Sequence, residues 1–483
     1  MSAGVSVDGE RELPEGWAWA ALGDVADTAL GKMLDKKQST GLHPTPYLRN
    51  VNVQWGQIDT DDLLTMDIEP DDLSRFMVSK GDLVVCEGGE IGRCAIWHKD
   101  EPIAFQKALH RVRPSQALDN RYLRYYLEYA ASTGKLAKFS TGSTIKHLPQ
   151  QRLREVPVLL APLAEQRRIV EALEEQLSRL DVAEREIRRN LSRVDRTWNA
   201  VRSSVARGEA NGFSVSGQPR RVEDVATVSG GIQKQKKRAP VRNKFPFLRV
   251  ANVGSGKLDL TDVHEVELFS GELSRHRLEK GDLLVVEGNG SPEQIGRAAM
   301  WHGGIDDAVH QNHLIRVRPN GALLPDYLEL IWNSPAVVDQ LRKVARSTSG
   351  LYTLSTSKVK SVTIPVPDLT DQQRLVEAAV NWQIKLNAAR GSLERAVVRS
   401  KHLRMALLRT AFSGKLVPSD LSSESAEVAL ARVAAERAAE PRAARTRKTA
   451  VKRVAVPCAA TPADPAPEPT PAPALAVQQE FDL

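Results

Sequence analysis

Two stretches of the chain carry apolar residues at steps of three and four over many turns. Val170, Leu173, Leu177, Leu180, Ile187, Leu191, Val194, Trp198, Val201 and Val205 form the first, interrupted by Glu184. Leu375, Ala379, Trp382, Leu386, Ala389, Leu393, Ala396, Ser400, Leu403 and Leu407 form the second. Spacing sustained this way predicts a coiled-coil seam, narrower than the face of a globular helix. Each pattern runs for roughly 45 residues, or about 65–70 Å at the α-helical rise. Neither stripe can bury itself alone, so the two helices are expected to pack on each other. Gly208 and Gly414 stand where C-terminal stops belong.

Ahead of each helix the pattern changes to short strands. Gly81-Asp82-Leu83-Val84-Val85 and Gly281-Asp282-Leu283-Leu284-Val285-Val286 each leave a Lys-Gly-Asp turn, where glycine and aspartate suit a tight reversal. Helical patterns follow around Tyr122–Tyr129 and Tyr327–Trp332, then prolines (Pro157 and Pro162; Pro365 and Pro367), then the long helix. The resemblance between the two halves extends to residues. Asp24-Val25-Ala26 returns as Asp224-Val225-Ala226, Ile91-Gly92-Arg93 as Ile295-Gly296-Arg297, and Arg111-Val112-Arg113-Pro114 as Arg316-Val317-Arg318-Pro319. Gln166, Arg168 and Val170 return as Gln372, Arg374 and Val376. Ordered, collinear matches mark a tandem duplication with a period of roughly 205 residues.

Composition narrows the class. At 483 residues the chain exceeds one ordinary core, and domain sizes suggest about three or four units. A hydrophobic share of 41% against 26% charged is a soluble balance. No apolar run approaches the roughly 18 residues of a membrane span, and Met1–Glu15 is too acidic and polar for a signal peptide. Three cysteines make no disulfide framework, so a reducing cytoplasm is expected. The net charge of +7 permits a polyanionic partner.

Catalytic signatures are missing. The Gly-Lys pairs lack the remainder of a phosphate loop, no Asn-Pro-Pro-aromatic motif occurs, and Gly288-Asn289-Gly290 lacks its third glycine. Cys86 and Cys94 are replaced by Val286 and Ala298 in the second copy, which reads as small core residues. His98 and His302 recur beside Trp97 and Trp301 without further ligands, so a structural role is expected. Glu87 and Glu287 follow apolar strands as candidate buried acids.

Basic loops carry more. Lys32, Lys36 and Lys37 with Gln38 match the denser Gln233, Lys234, Gln235, Lys236, Lys237 and Arg238 in the same loop of each copy. Cations neutralise phosphates, while amides and arginines read base edges. A second candidate strip holds Ser143, Thr144, Lys146 and His147, opposite Tyr352 and Thr353. The acidic run from Asp59 to Asp72 is expected to face away from nucleic acid. Two such modules on paired helices make a pseudo-two-fold object suited to a two-part target on a duplex, with half-sites a fixed distance apart. Positions that differ between equivalent loops should then read sequence.

Lys-Gly-Asp-Leu before a strand, Arg-Val-Arg-Pro, the helix opening Pro162–Val170 and the closing stretch Phe412-Ser413-Gly414-Lys415-Leu416-Val417 together resemble the specificity subunit of type I restriction-modification systems. The likeness spans residues 12–417. It implies an α+β fold, with two target recognition domains joined by two long helices in an antiparallel coiled coil. The expected divisions are 1–160 and 209–367 for the recognition domains, 161–208 and 368–417 for the helical regions, and 418–483 for a largely disordered Ala/Pro-rich tail. Within that tail Glu424–Glu440 reads as a short helix. Leu173, Leu180, Ile187, Val194, Trp198 and Val201 are expected on the seam opposite Leu386, Leu393, Leu403 and Leu407. The resemblance further implies a non-catalytic chain that binds double-stranded DNA with two methyltransferase subunits. Those subunits would carry S-adenosylmethionine, and added motor-nuclease subunits would cleave unmodified DNA. A self-contained methyltransferase or nuclease, or a coiled-coil scaffold without DNA readout, are the competing readings.

Overall fold

The computed structural model describes residues 13–34, 41–142, 146–289, 294–345, 352–419 and 422–439. The chain forms two compact units, one taking residues up to Glu186 and the stretch beginning at Ala396, the other taking Ile187–Arg395. In the first unit an antiparallel sheet runs Ala26–Leu30, Leu109–Pro114, Leu83–Cys86, Cys94–Ile96. A second sheet runs Leu64–Asp67, Pro44–Leu48, Ile103–Phe105, Met77–Val78, and its central pair is parallel. The second unit repeats the first sheet with Ala226–Gly230, Leu314–Pro319, Leu283–Val286 and Ala298–Met300. Its other sheet is three-stranded: His264–Glu267, Lys244–Leu248, Val309–His310.

The central strands explain why their sequence shows no polar alternation. Leu83 and Val85 point into a core shared with Tyr122, Tyr126 and the long helix, while Val84 and Cys86 point into another with Leu48, Val53 and Trp97. Leu283 and Val285, then Leu284 and Val286, divide the same way. A strand covered on both faces reads as a continuous apolar run.

The duplicated motifs lock each other. Asp82 is almost wholly buried and accepts from Arg113 Nε at 2.6 Å and from its terminal nitrogen at 2.7 Å. Asp282 accepts the same fork from Arg318, at 2.6 and 2.8 Å. Each aspartate also takes a backbone N–H at the mouth of its turn, from Ser79 or Glu279. A bidentate guanidinium–carboxylate pair is directional, so it fixes the Lys-Gly-Asp turn against the neighbouring strand.

The long helices are α1 (Leu163–Ala206) and α2 (Leu369–Ala411). Gln166, fully buried near the start of α1, accepts from Asp119 N–H and donates to the carbonyls of Ala117 and Ala161. Gln372 does the same for Leu324, Ala322 and Pro367 at the start of α2. Each sheet module is thereby fastened to the helix that follows it. In the first unit Ser400 donates to Glu184 at 2.7 Å and Arg404 pairs with Asp181, so the helices run antiparallel. In the second unit Arg390 pairs with Asp195. Gly208 and Gly414 close the helices with positive φ, as expected.

Leu173 and Val194 are buried on the seam, and Leu180, Ile187, Trp198, Val201, Leu386, Leu393 and Leu407 are half-buried. Leu403 departs from expectation and is 47% exposed. Near its C-terminus α2 turns Ser400, Arg404 and Leu408 inward in steps of four, and Leu408, Ala411 and Phe412 enter the core of the sheet module. A straight helix drifts by about 20° per heptad from a 3.5-residue repeat, and here the module, not the partner helix, dictates the facing. The short helix expected in the tail forms. Ala426–Ala439 is a helix, α3, whose Ala429 and Val433 cluster with Ala117. Ala426 N–H donates to Gly16 O at 2.9 Å and Arg437 to Gly23 O at 2.6 Å. Residues 440–483 lie outside the described residues. Among those described, no helix is long and apolar enough to cross a membrane.

Candidate nucleic-acid interface

Three loop segments converge at the end of each module, held by the same backbone bonds. In the first, Lys32 N–H donates to Phe105 O at 2.9 Å and Lys107 N–H returns to Lys32 O at 2.9 Å. Glu87 N–H reaches Ala108 O at 3.0 Å and Leu148 N–H reaches Glu87 O at 2.7 Å. In the second, Ile232 N–H donates to His310 O at 2.8 Å and Asn312 N–H to Ile232 O at 2.9 Å. Glu287 N–H reaches His313 O at 2.9 Å and Leu354 N–H reaches Glu287 O at 2.7 Å. The crossing needs glycine: a Cβ on Gly31 or Gly231 would sit 2.3 Å from the carbonyl oxygen of Phe105 or His310. The candidate loops and the candidate strips, far apart in sequence, therefore meet across Glu87-Gly88 and Glu287-Gly288.

The cations within this frame have different fates. Gln233, Lys234, Gln235, Lys236 and Lys237 are exposed, and Lys236–Arg238 forms a short 3-10 turn. Lys237 Nζ lies 5.7 Å from the centre of the Phe269 ring. Arg238 is instead held inside the module, its fork on both oxygens of Glu272 at 2.8 Å, and that guanidinium holds the Glu272 carboxyl down to about 2. Lys32 lies 3.7 Å from Asp72 and 5.4 Å from the Phe76 ring. Arg238 and Lys32 thus anchor their loops. Lys146, His147 and Thr353 are exposed, and His147 exchanges two 2.8 Å backbone bonds with Thr141. Thr353 pairs in register with Gly288, and Tyr352 with Asn289. Lys36, Lys37, Gln38, Ser143 and Thr144 lie outside the described residues.

Part of the acidic run, Asp67, Glu69 and Asp72, meets the loop of the first copy. Leu64–Asp67 pairs antiparallel with Pro44–Leu48, the strand that continues the loop. That pairing sets Asp67 against Gly41 and His43, whose N–H groups its carboxylate accepts at 2.8 and 2.7 Å. Glu267 accepts from Val241, Arg242 and Asn243 in the second copy. Carboxylates at equivalent places fasten the root of each loop.

Sequence reasoning missed the turns Gln106-Lys107 and Gln311-Asn312-His313, which sit between the loops and the strips. Their recurrence as Gln-x-x-Leu in both copies was the available signal. Lys107 and His313 are exposed, and His313 lies 3.2 Å from Glu287. Glu87 and Glu287 are half-buried at the junction of the loops. His98 and His302 are exposed, and no metal-holding group of three His, Cys, Asp or Glu occurs among the described residues. Cys86 and Cys94 are buried, and desolvation pushes the Cys86 thiol up to about 11.

The model of the type I restriction modification DNA specificity domain matches residues 14–191. The specificity subunit of the EcoKI type I restriction enzyme of Escherichia coli (strain K12) is 26% identical, covering 89% of this chain and 96% of its own length. The StySPI specificity subunit of Salmonella potsdam is 24% identical over 87% of this chain and 95% of its own. Among solved structures, a chain from a study of the assembly and conformational transition of the type I R-M system superposes with a TM-score of 0.66. It is 18% identical, and the match covers 84% of this chain and all of that one, so the fold is shared.

Proposed function

The chain belongs to the specificity subunits of type I restriction-modification systems, and on that premise we propose that it reads a bipartite duplex target, one half-site per sheet module. As a specificity subunit it recognises DNA and leaves the chemistry to its partners. Two methyltransferase subunits are assigned to the chain, with S-adenosylmethionine bound on them, and motor-nuclease subunits complete the cleaving form. The observation that supports the reading is the repeated junction of three loops on an identical backbone frame with non-identical side chains. Equal frames present unequal surfaces: Lys107 and His147 in one copy, Lys234, Lys236, Lys237 and His313 in the other. Phosphate contacts set register, and side chains at base edges supply sequence. A scaffold that reads no DNA has no use for such a junction in duplicate.

The test is the salt dependence of DNA binding by the assembled methyltransferase. Lys236→Ala with Lys237→Ala is expected to weaken binding and to lower the salt slope by about 0.9 for each phosphate no longer neutralised. An unchanged slope places both lysines off the DNA.

A further inference from the structure

The second unit holds a cleft of about 740 Å³, formed by the C-terminal turns of α1, the loop at Val253–Asp259, the turn at Gln294–Arg297 and the helix Pro335–Ala345. Its charged lining is Arg202, Lys257, Arg297 and Arg342 against Asp259 and Asp339. The carboxylates are engaged locally, Asp339 with Arg342 and Asp259 with Thr261.

The duplication supplies the control. In both copies a guanidinium lies under a positive-φ glycine, at Gly56 in the first and Gly256 in the second. In the first it belongs to Arg124, which forms an ion pair with Glu128 at 2.9 Å. Glu128 becomes Asn333 in the second copy, and Arg124 becomes Glu329. The guanidinium there comes from the helix instead, as Arg202. Arg202 is 9% exposed, and its Nε, like that of Arg124, has no hydrogen-bond partner, so the two differ in the ion pair. Among the described residues no carboxylate pairs with it directly, and Glu329 acts on it only through space. Its ring neighbour is Trp198, 5.1 Å from the guanidinium carbon. Meanwhile Trp55, beside Gly56 in the chain and donating to Glu90 at 2.7 Å in the first copy, is replaced by Ser255. The directly paired carboxylate and the indole have both gone, and Arg202 lines the cleft together with their replacements, Asn333 and Ser255.

We propose that this cleft binds a small, multiply charged phosphate compound, with Arg202 as the anchoring cation. A buried arginine without a paired counter-ion lowers stability, and a guanidinium fork matches a phosphate oxygen pair. The cleft falls within the roughly 300–1,000 Å³ typical of small-molecule sites, far more than one side-chain carboxylate requires. Lys257 and Arg342 lie on the rim to meet further charge.

Pyrophosphate is the probe, titrated calorimetrically into the full-length chain with melting temperature as a second readout. Saturable binding and a rise in melting temperature are expected. Arg202→Gln should weaken binding about ten- to a hundredfold, the worth of a hydrogen bond to a charged group, while leaving the unliganded melting temperature equal or higher. Ser255→Trp, which restores the first copy's residue and keeps every cation, should also abolish binding. Absence of saturable binding, wild-type affinity in both variants, or a lower unliganded melting temperature for Arg202→Gln would each overturn the proposal. Displacement of bound pyrophosphate by duplex DNA would overturn it too, since the cleft would then be part of the DNA surface.

Discussion

At the residue scale, the same side-chain chemistry does structural work in one place and stands free in another, and burial decides which. Asp82 and Asp282 are buried beneath the forks of Arg113 and Arg318. Asp82→Ala should cost about 2–4 kcal/mol, toward the lower end for breaking a buried pair because Arg113 keeps access to water. Denaturant unfolding of the chain measures it, and a loss within experimental error would reduce the motif to surface decoration. His110 and His310 are buried, and desolvation lowers them to about 4 and about 3. Unfolding returns both to the ordinary histidine value near about 6.5, so the unfolded chain binds more protons below that pH. Their neutral burial therefore contributes stability that is complete above about pH 6.5 and lost as pH falls toward 4 and 3. His310 occupies the place of Phe105, since each follows the same strand pairing. His310→Phe should flatten the pH dependence of unfolding between pH 6 and 4 by about one proton. An unaltered slope would mean that His310 is solvated.

At the scale of the element, α1 and α2 were legible because thirty or more residues obey one period, and local steric rules suffice to make a helix. The facing of each turn was less legible. Leu403 has the right spacing and the wrong surroundings, because Leu408 and Phe412 are drawn into the module core. Composition made α3 legible as a helix, since alanine is the strongest helix former, but not its place, which depends on Gly16, Gly23 and Ala117, distant in sequence. Removing residues 440–483 should leave the melting temperature unchanged. Removing 422–483 should destabilise the first unit by roughly 2–3 kcal/mol, the worth of the apolar surface that α3 buries. Equal melting temperatures for the two truncations would show that α3 adds nothing to stability.

At the scale of the whole molecule, duplication is the organising fact. Each unit has its own sheets, its own cores and its own three-loop junction. A module exchanged as a piece should carry its reading with it. Replacing residues 12–160 by the equivalent region of a specificity subunit with a different target is expected to change one half of the methylated motif and leave the other intact. Methylome mapping decides, and alteration of both halves would refute one-module, one-half-site reading.

The amino-acid order by itself determined the duplication, the two long helices with their glycine stops, the strand runs, and the family resemblance. All of these are periodic or collinear, and such signals survive without knowledge of distant neighbours. Tertiary structure alone decided which cations remain free. Lys32 and Arg238 look the same in sequence as Lys234, Lys236 and Lys237, yet the first two meet Asp72 and Glu272 on short helices. It also decided that Asp67 and Glu267 brace the roots of the loops, and that Arg202 lacks the directly paired carboxylate that Arg124 has in the first copy. A charge's role depends on what the fold brings within a few ångströms, and that information lies in the pairing of segments far apart in the chain.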